Sequence, residues 1–277
     1  MRTHSWIFSA ETRRRQGDEQ LSTFILNRGQ KAAEETVMLA NKMAHSHEES
    51  VLLKRSRIEA LKASLEGSCV CPENGLWKRL AENVLKGNEI DIGGFCSAVI
   101  DSLEMGRSKG RNLFLMGRSN CGKSFLLRPL EKAFRCLTNP AGNLFSFAEI
   151  KGKEVVLLDD FRFSANQDRP ISWSQLLLLL DGATVHFSQP RTHFVEDVEV
   201  DAKNTIPVFF TGKSVPVFLQ HGVADAVETE MMRNRFRVFV FHSPIPRESM
   251  RECLPCSKCF ADFLFCHASQ FVKEVAR

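Results

Sequence analysis

Gly117, Gly122, Lys123 and Ser124 fall at the spacing G-x-x-x-x-G-K-[ST], the spacing of a loop that holds a polyphosphate. Glycines let such a loop fold tightly enough to turn its backbone N–H groups toward phosphate oxygens, and a helix opening at the far side adds a favourable dipole. In that setting Lys123 reaches the β- and γ-phosphates of ATP and the Ser124 hydroxyl binds Mg²⁺, while Arg118, Ser119, Asn120 and Cys121 line the turn. A second chemical group closes the aliphatic run Val155-Val156-Leu157-Leu158, namely Asp159-Asp160. An acidic pair at the end of a short buried strand, roughly three dozen residues beyond the lysine, reads as a Walker B element. Its first acid holds Mg²⁺ and its second polarises the attacking water.

A third group is made of thiols. Cys253-x-x-Cys256-x-x-Cys259 is followed by Cys266-His267, and Cys253, Cys256, Cys259 and Cys266 are a candidate set for a structural Zn²⁺. An ordinary reduced, helix-facing role for Cys266 is the competing reading. Cys69-Val70-Cys71 has poor spacing for half of a zinc site and reads as part of a linker. His45-Ser46-His47 has the look of the paired histidines of rolling-circle nickases, but Glu48-Glu49-Ser50 follows where an apolar strand is needed, so that reading is rejected.

These groups need elements to hold them. The run Arg111–Met116 predicts a buried strand entering the phosphate loop. A helix is expected from Ser124 through Leu130, Ala133, Phe134 and Leu137, kinked by Pro129. Leu144–Ile150 is a candidate second strand. Trp77, Leu80, Ala81, Val84 and Leu85 mark an amphipathic helix, and Phe95, Val99 and Leu103 carry another behind an Asp91 N-cap. Trp173–Leu180 is a leucine-rich helix. Ala183–Phe187 and His193–Val200 form a hairpin with a basic tip, Thr205–Lys213 is a further buried strand, and Met231–Phe241 is a basic turn leading into a last strand. Before all of these, residues 1–30 are polar with the cluster Arg13-Arg14-Arg15, and helical spacing runs from about Gln30 to Leu65.

With 277 residues, 43% hydrophobic and 25% charged, the chain is long enough to bury a sizeable core. A net charge of +4 permits a nucleic-acid partner without arguing for one. No apolar run reaches the length of a membrane span, and the N-terminus has no signal-peptide core. Nine cysteines without a secretory signal point to reduced thiols or metal ligands, hence to the nucleus or cytoplasm and not to secretion. The fold expected is α/β: a P-loop NTPase with a central parallel sheet, helices on both faces, and a small helical region ahead of it. The expected divisions are residues 1–70, a helical N-terminal region; 71–108, a helical lead-in; 109–245, the ATPase core; and 246–277, a cysteine-rich tail.

The order of phosphate loop, acidic pair, basic hairpin, polar strand end and late arginine is similar to that of the superfamily 3 helicases. These are the hexameric, AAA+-like ATPase domains of parvoviral and other small DNA-virus replication initiators. The resemblance covers roughly Leu76 to Phe241. The stretch Gly106–Asn112 and the pattern Met231-Met232-x-x-Arg235 also look like parvovirus-like helicase genes carried in animal genomes. The resemblance implies an ATP-dependent helicase or translocase acting on single-stranded or forked DNA as a hexameric ring of identical subunits. It implies that Arg191 and His193 at the hairpin tip contact DNA, that Lys213 takes the sensor position, and that Arg235 is the finger that completes a neighbour's ATP site. Most members have Asn where Lys213 stands and lysines at the hairpin tip, and the initiators' nickase domain is not matched. The alternative is a non-motor P-loop ATPase that uses nucleotide as an assembly switch. A nucleotide kinase is disfavoured because no arginine-rich lid lies between the two anchors.

Overall fold

Strand β1 (Asn112–Gly117) lies between β6 and β9 in a five-stranded parallel sheet of order β2-β3-β6-β1-β9. Its companions are β2 (Cys136–Thr138), β3 (Val155–Leu158), β6 (Val208–Gly212) and β9 (Phe236–Phe241). Alternate residues of the central strands feed two separate cores. Leu113, Leu115, Val155, Leu157 and Phe209 point to one face, and Phe114, Val156, Leu158, Val208 and Phe210 to the other. A parallel strand buried on both sides must be apolar throughout, and these are. The computed structural model describes residues 35, 56–140, 146–163, 171–188, 197–220, 222–245 and 253–268. All elements below belong to the unit Ser56–Arg277. The Arg13–Arg15 cluster and most of the expected first helix lie outside the described residues.

The first face is covered by α1 (Arg57–Glu66), α2 (Leu76–Gly87), α3 (Ile92–Met105) and α8 (Ser257–His267). The Ser56 hydroxyl accepts from the Glu59 N–H while Glu59 accepts from the Ser56 N–H, a reciprocal cap that starts α1. Asp91 caps α3 as expected, its carboxylate accepting from the Gly94 N–H at 2.6 Å. The tail helix α8 therefore shares a core with the lead-in helices. Its Phe260 and Phe263 meet Trp77 of α2 edge-on.

The opposite face carries α6 (Trp173–Asp181), the antiparallel pair β4 (Val185–Phe187) and β5 (Val198–Val200), and Met232 of α7 (Ala226–Arg233). Phe114, Phe210 and Phe236 pack mutually with ring centroids 5.0–5.8 Å apart, binding three adjacent strands from that side. Such contacts add about 0.5–1.5 kcal/mol per pair beyond burial. A short hairpin, β7 (Leu219–Gln220) with β8 (Val223–Ala224), precedes α7.

Three expectations fail. The helix after the phosphate loop does not run to Leu137. It breaks into α4 (Lys123–Leu127) and α5 (Leu130–Ala133) at Pro129, which has no N–H to continue the ladder. Phe134 then turns extended, and Leu137 lies on β2. The Arg135–Glu154 contact explains the change: Arg135 N–H donates to Glu154 Oε2 at 2.9 Å, and Glu154 N–H donates to the Arg135 carbonyl at 2.8 Å, zipping this segment onto β3. Second, Ser146–Ile150 is a 3₁₀ turn burying Phe147 and Ile150, and no strand forms there among the described residues because β2 has taken that sheet edge. Third, Met231-Met232-Arg233 is the last turn of a helix started by the Asp225 cap.

Candidate functional site

The phosphate-type loop leaves the carboxyl end of β1 and enters α4. Gly117 has φ 152°, and a Cβ there would sit 1.9 Å from the Phe241 carbonyl oxygen. Gly122 has φ 82°, and a Cβ would press on Val84 and Ile245 at 2.7 and 2.9 Å. Both positions need glycine for space as well as for backbone conformation. Arg118, Ser119 and Asn120 are exposed and Cys121 is buried. Lys123, only 9% exposed, folds its ammonium back onto the loop and donates to the carbonyls of Gly117 (2.9 Å) and Arg118. Burial holds its pKa below the usual lysine value, with Cys121, Asp160 and Asp159 acting in the opposite direction.

The acidic pair follows β3, which is separated from β1 by β6. That order places the ends of all three strands side by side. Ser124 Oγ donates to Asp159 Oδ1 at 2.5 Å, joining residues far apart in sequence. Thr211 Oγ1, from the end of β6, donates to the same oxygen at 2.6 Å and accepts the Asp160 N–H at 2.8 Å. Asn139 Oδ1, just beyond β2, accepts the Asp159 N–H at 2.7 Å. Asp160 itself is exposed and pairs with Arg162 at 2.7 Å. Among the described non-glycine residues with positive φ, Asn120, Asn139 and Asp160 stand here, at 64°, 37° and 50°. Backbone in that sparsely populated region gathers where a site demands it. Each structural feature of the loop and the strand order agrees. The fold is that of an α/β P-loop NTPase.

Two predicted site residues do not join this group. Lys213 is exposed just past the end of β6, and Thr211, two residues earlier, is what that strand contributes. Arg235 precedes β9, whose Phe236 pairs with Asn112 and whose Phe241 pairs with Gly117. It therefore lies at the opposite end of the sheet from the loop, about 17–20 Å away at strand rise. Its guanidinium pairs with Asp181 at 2.5 Å and donates to the Met231 carbonyl, with the side chain 8% exposed. The β4–β5 pairing matches the expected hairpin, but Arg191 and His193 lie outside the described residues.

Sequence reading missed four contributors. Thr211 stands at the strand end expected to act through Lys213, and nothing in its local sequence marks Asn139. Asn88 is buried and accepts the His242 and Ser243 N–H groups, both at 2.8 Å. Arg107 is 4% exposed and spends its five N–H donors on the carbonyls of Asn204, Leu179, Ala183, Val200 and Asp201. It pins the base of the β4–β5 hairpin to α6, and burial lowers its pKa despite Asp201 nearby.

The thiol set is also corrected. Cys69, Cys71, Cys256 and Cys259 bring their sulfurs within 4.8 Å of one another. Cys266 is exposed and donates to Asp262 Oδ1, and Cys253 lies against Cys71 at the edge of the cluster and donates to the Leu254 carbonyl. The Cys-x-Cys segment taken for a linker is thus half of the cluster: Val70 turns to solvent, 52% exposed, and the residues on either side of it turn inward.

No protein-family model matches the chain, and no curated protein sequence matches it either. Among solved structures, an apo form of the NrS-1 C-terminal region gives a TM-score of 0.45 at 18% identity, covering 73% of this chain and 47% of that one. Another apo structure of the same region gives 0.45 at 17%, covering 73% and 48%. JCV helicase, solved with a thiazolopyridine compound bound, gives 0.45 at 14%, covering 83% and 70%. The chain spans about half the length of the NrS-1 region that it matches. Strand order and loop placement carry the fold assignment. No helix among the described residues is long and apolar enough to cross a membrane.

Proposed function

We propose that the chain hydrolyses ATP with Mg²⁺ and uses the cycle to move along or separate DNA strands as a ring of identical subunits. The observation supporting the first part is the meeting of Ser124 Oγ and Asp159 Oδ1, the two oxygens that such a site uses for the metal. Hard oxygen donors on a hydroxyl and a carboxylate suit Mg²⁺. When bound, the ion would neutralise charge on the phosphate oxygens. Lys123 would exchange its loop carbonyls for the β- and γ-phosphates. Thr211 fixes both carboxylate-bearing residues, one through its side chain and one through its backbone, so that Asp159 and Asp160 face the phosphates from a set position. Asp160 would orient the attacking water after turning from Arg162.

The DNA and ring parts rest on the resemblance to superfamily 3 helicases, with Arg191 and His193 as the DNA contacts and Arg235 as the finger in a neighbour's site. Val217, Leu219, Val223 and Val227, on and around β7, β8 and α7, are exposed. A neighbouring copy would cover them. Arg235 must leave Asp181 to reach such a site. That buried pair, together with the exposed Lys213, favours a second reading, in which nucleotide acts as an assembly switch without a motor. The test is ATP turnover of wild type and Lys123→Ala, with and without single-stranded DNA, beside strand displacement and a sizing measurement. Turnover that DNA stimulates and Lys123→Ala abolishes is expected. Wild type no faster than Lys123→Ala under every condition sinks the enzyme reading, and turnover without strand displacement selects the switch.

A further inference from the structure

The cluster of Cys69, Cys71, Cys256 and Cys259 lies apart from the phosphate loop and has no part in the chemistry above. The sulfur of Cys259 is 3.4 Å from that of Cys69 and 3.7 Å from that of Cys71, and Cys256 is 3.9 Å from Cys69. A tetrahedron of thiolates at the Zn–S bond length of about 2.3 Å has S···S edges of about 3.8 Å. A disulfide needs about 2.05 Å. The four sulfurs are therefore spaced as around a shared ion, not as two covalent pairs.

The surroundings suit thiolates. Cys256 is the N-cap of α8, and its sulfur accepts the Cys259 N–H at 3.5 Å. Backbone N–H groups of Gly75 and Trp77 are directed at the sulfurs of Cys69 and Cys71. Each such bond offsets part of the excess negative charge that four thiolates leave on a divalent ion. Cys256 and Cys259 are 1% and 5% exposed, whereas Cys69 and Cys71 are half-buried, so one side of the cluster is closed and the other open to an entering ion.

We propose that Cys69, Cys71, Cys256 and Cys259 form a structural zinc site that clamps the α1–α2 loop to the start of α8. The clamp joins segments almost two hundred residues apart and fixes α8, whose Phe260 and Phe263 abut Trp77 with centroids 5.6 and 5.8 Å away. Trp77 in turn stacks at 5.5 Å on Phe125, the residue after Ser124. Zinc thereby supports the helix behind the phosphate loop without touching nucleotide.

The test is metal analysis of the full chain purified without chelator. About one zinc per chain is expected. The double variants Cys69→Ser/Cys71→Ser and Cys256→Ser/Cys259→Ser should each lose at least tenfold of it, while Cys266→Ser retains it. Should a double variant fail to fold, Co²⁺ added to metal-stripped wild type provides a second reading. Tetrahedral thiolate bands that one equivalent of Zn²⁺ abolishes are expected, along with a raised melting temperature. Zinc below about a tenth of an equivalent together with no such cobalt bands overturns the proposal. So does a disulfide mapped among the four cysteines, or zinc that leaves with Cys266→Ser instead. None of these readings depends on ATP turnover.

Discussion

Arg235→Ala tests whether this arginine is held inside its own subunit. The truncation strands the Asp181 carboxylate and removes the donor to the Met231 carbonyl. Breaking a fully buried ion pair costs about 3–5 kcal/mol. Two features reduce that here. Asp181 keeps 31% of its side chain exposed, so water can take over part of the lost interaction, and Arg235 Nε is a buried donor without a partner, so its removal relieves a small penalty. A cost of about 2 kcal/mol remains, which for a unit of this size lowers the melting temperature by about 4–8 °C. Denaturant melts of Arg235→Ala, Asp181→Asn and the double variant should give a coupling energy of about 1–2 kcal/mol. Should Arg235→Ala melt within about 1 °C of wild type, the buried-pair reasoning is wrong. If it also loses ATP turnover only in the assembled state, a finger role without an internal tether replaces it.

Further outcomes follow from the same geometry. Thr211→Val keeps the shape but leaves the Asp160 N–H without its acceptor and frees the Asp159 carboxylate; turnover should fall about tenfold at little change in ATP affinity, with Thr211→Ser restoring it, and unchanged turnover rejects the bridge. Arg107→Lys keeps a charge but offers three donors where five carbonyls wait, so it should cost about 2–3 kcal/mol in chemical denaturation; a loss under about 0.5 kcal/mol contradicts the role drawn for it. Burial raises the Asp262 pKa, but hydrogen bonds from Lys78 and Cys266 outweigh it and hold the carboxyl below its ordinary value. A depressed acid contributes stability above its unfolded-state pKa of 3.8 and loses it as pH falls through the folded value. This half-exposed pair between α2 and α8 is worth up to about 1 kcal/mol, so Asp262→Asn should reduce stability near pH 6 and not near pH 2; equal effects at both refute the linkage.

The two anchors of the site were legible because their chemistry is local. Gly117, Gly122, Lys123 and Ser124 must be close in sequence to form one loop, and Asp159 must close an aliphatic strand. Periodicity likewise marked α2, α3, α6 and the central strands, since their buried faces repeat within each element. What the sequence left open depends on neighbours that it does not place side by side. Pro129 signalled a kink, but only pairing of Arg135 with Glu154 made the following residues a strand. Thr211 became part of the site because β6 inserts between β1 and β3, bringing its hydroxyl to Asp159. Arg235, marked by its position in a motif, is set by tertiary packing against Asp181, at the far end of the sheet from Lys123. The thiols show the difference most plainly. Spacing along the chain grouped Cys253, Cys256, Cys259 and Cys266, whereas packing of α8 against the lead-in helices put Cys69 and Cys71 beside Cys256 and Cys259, because a ligand set is chosen by distance in space.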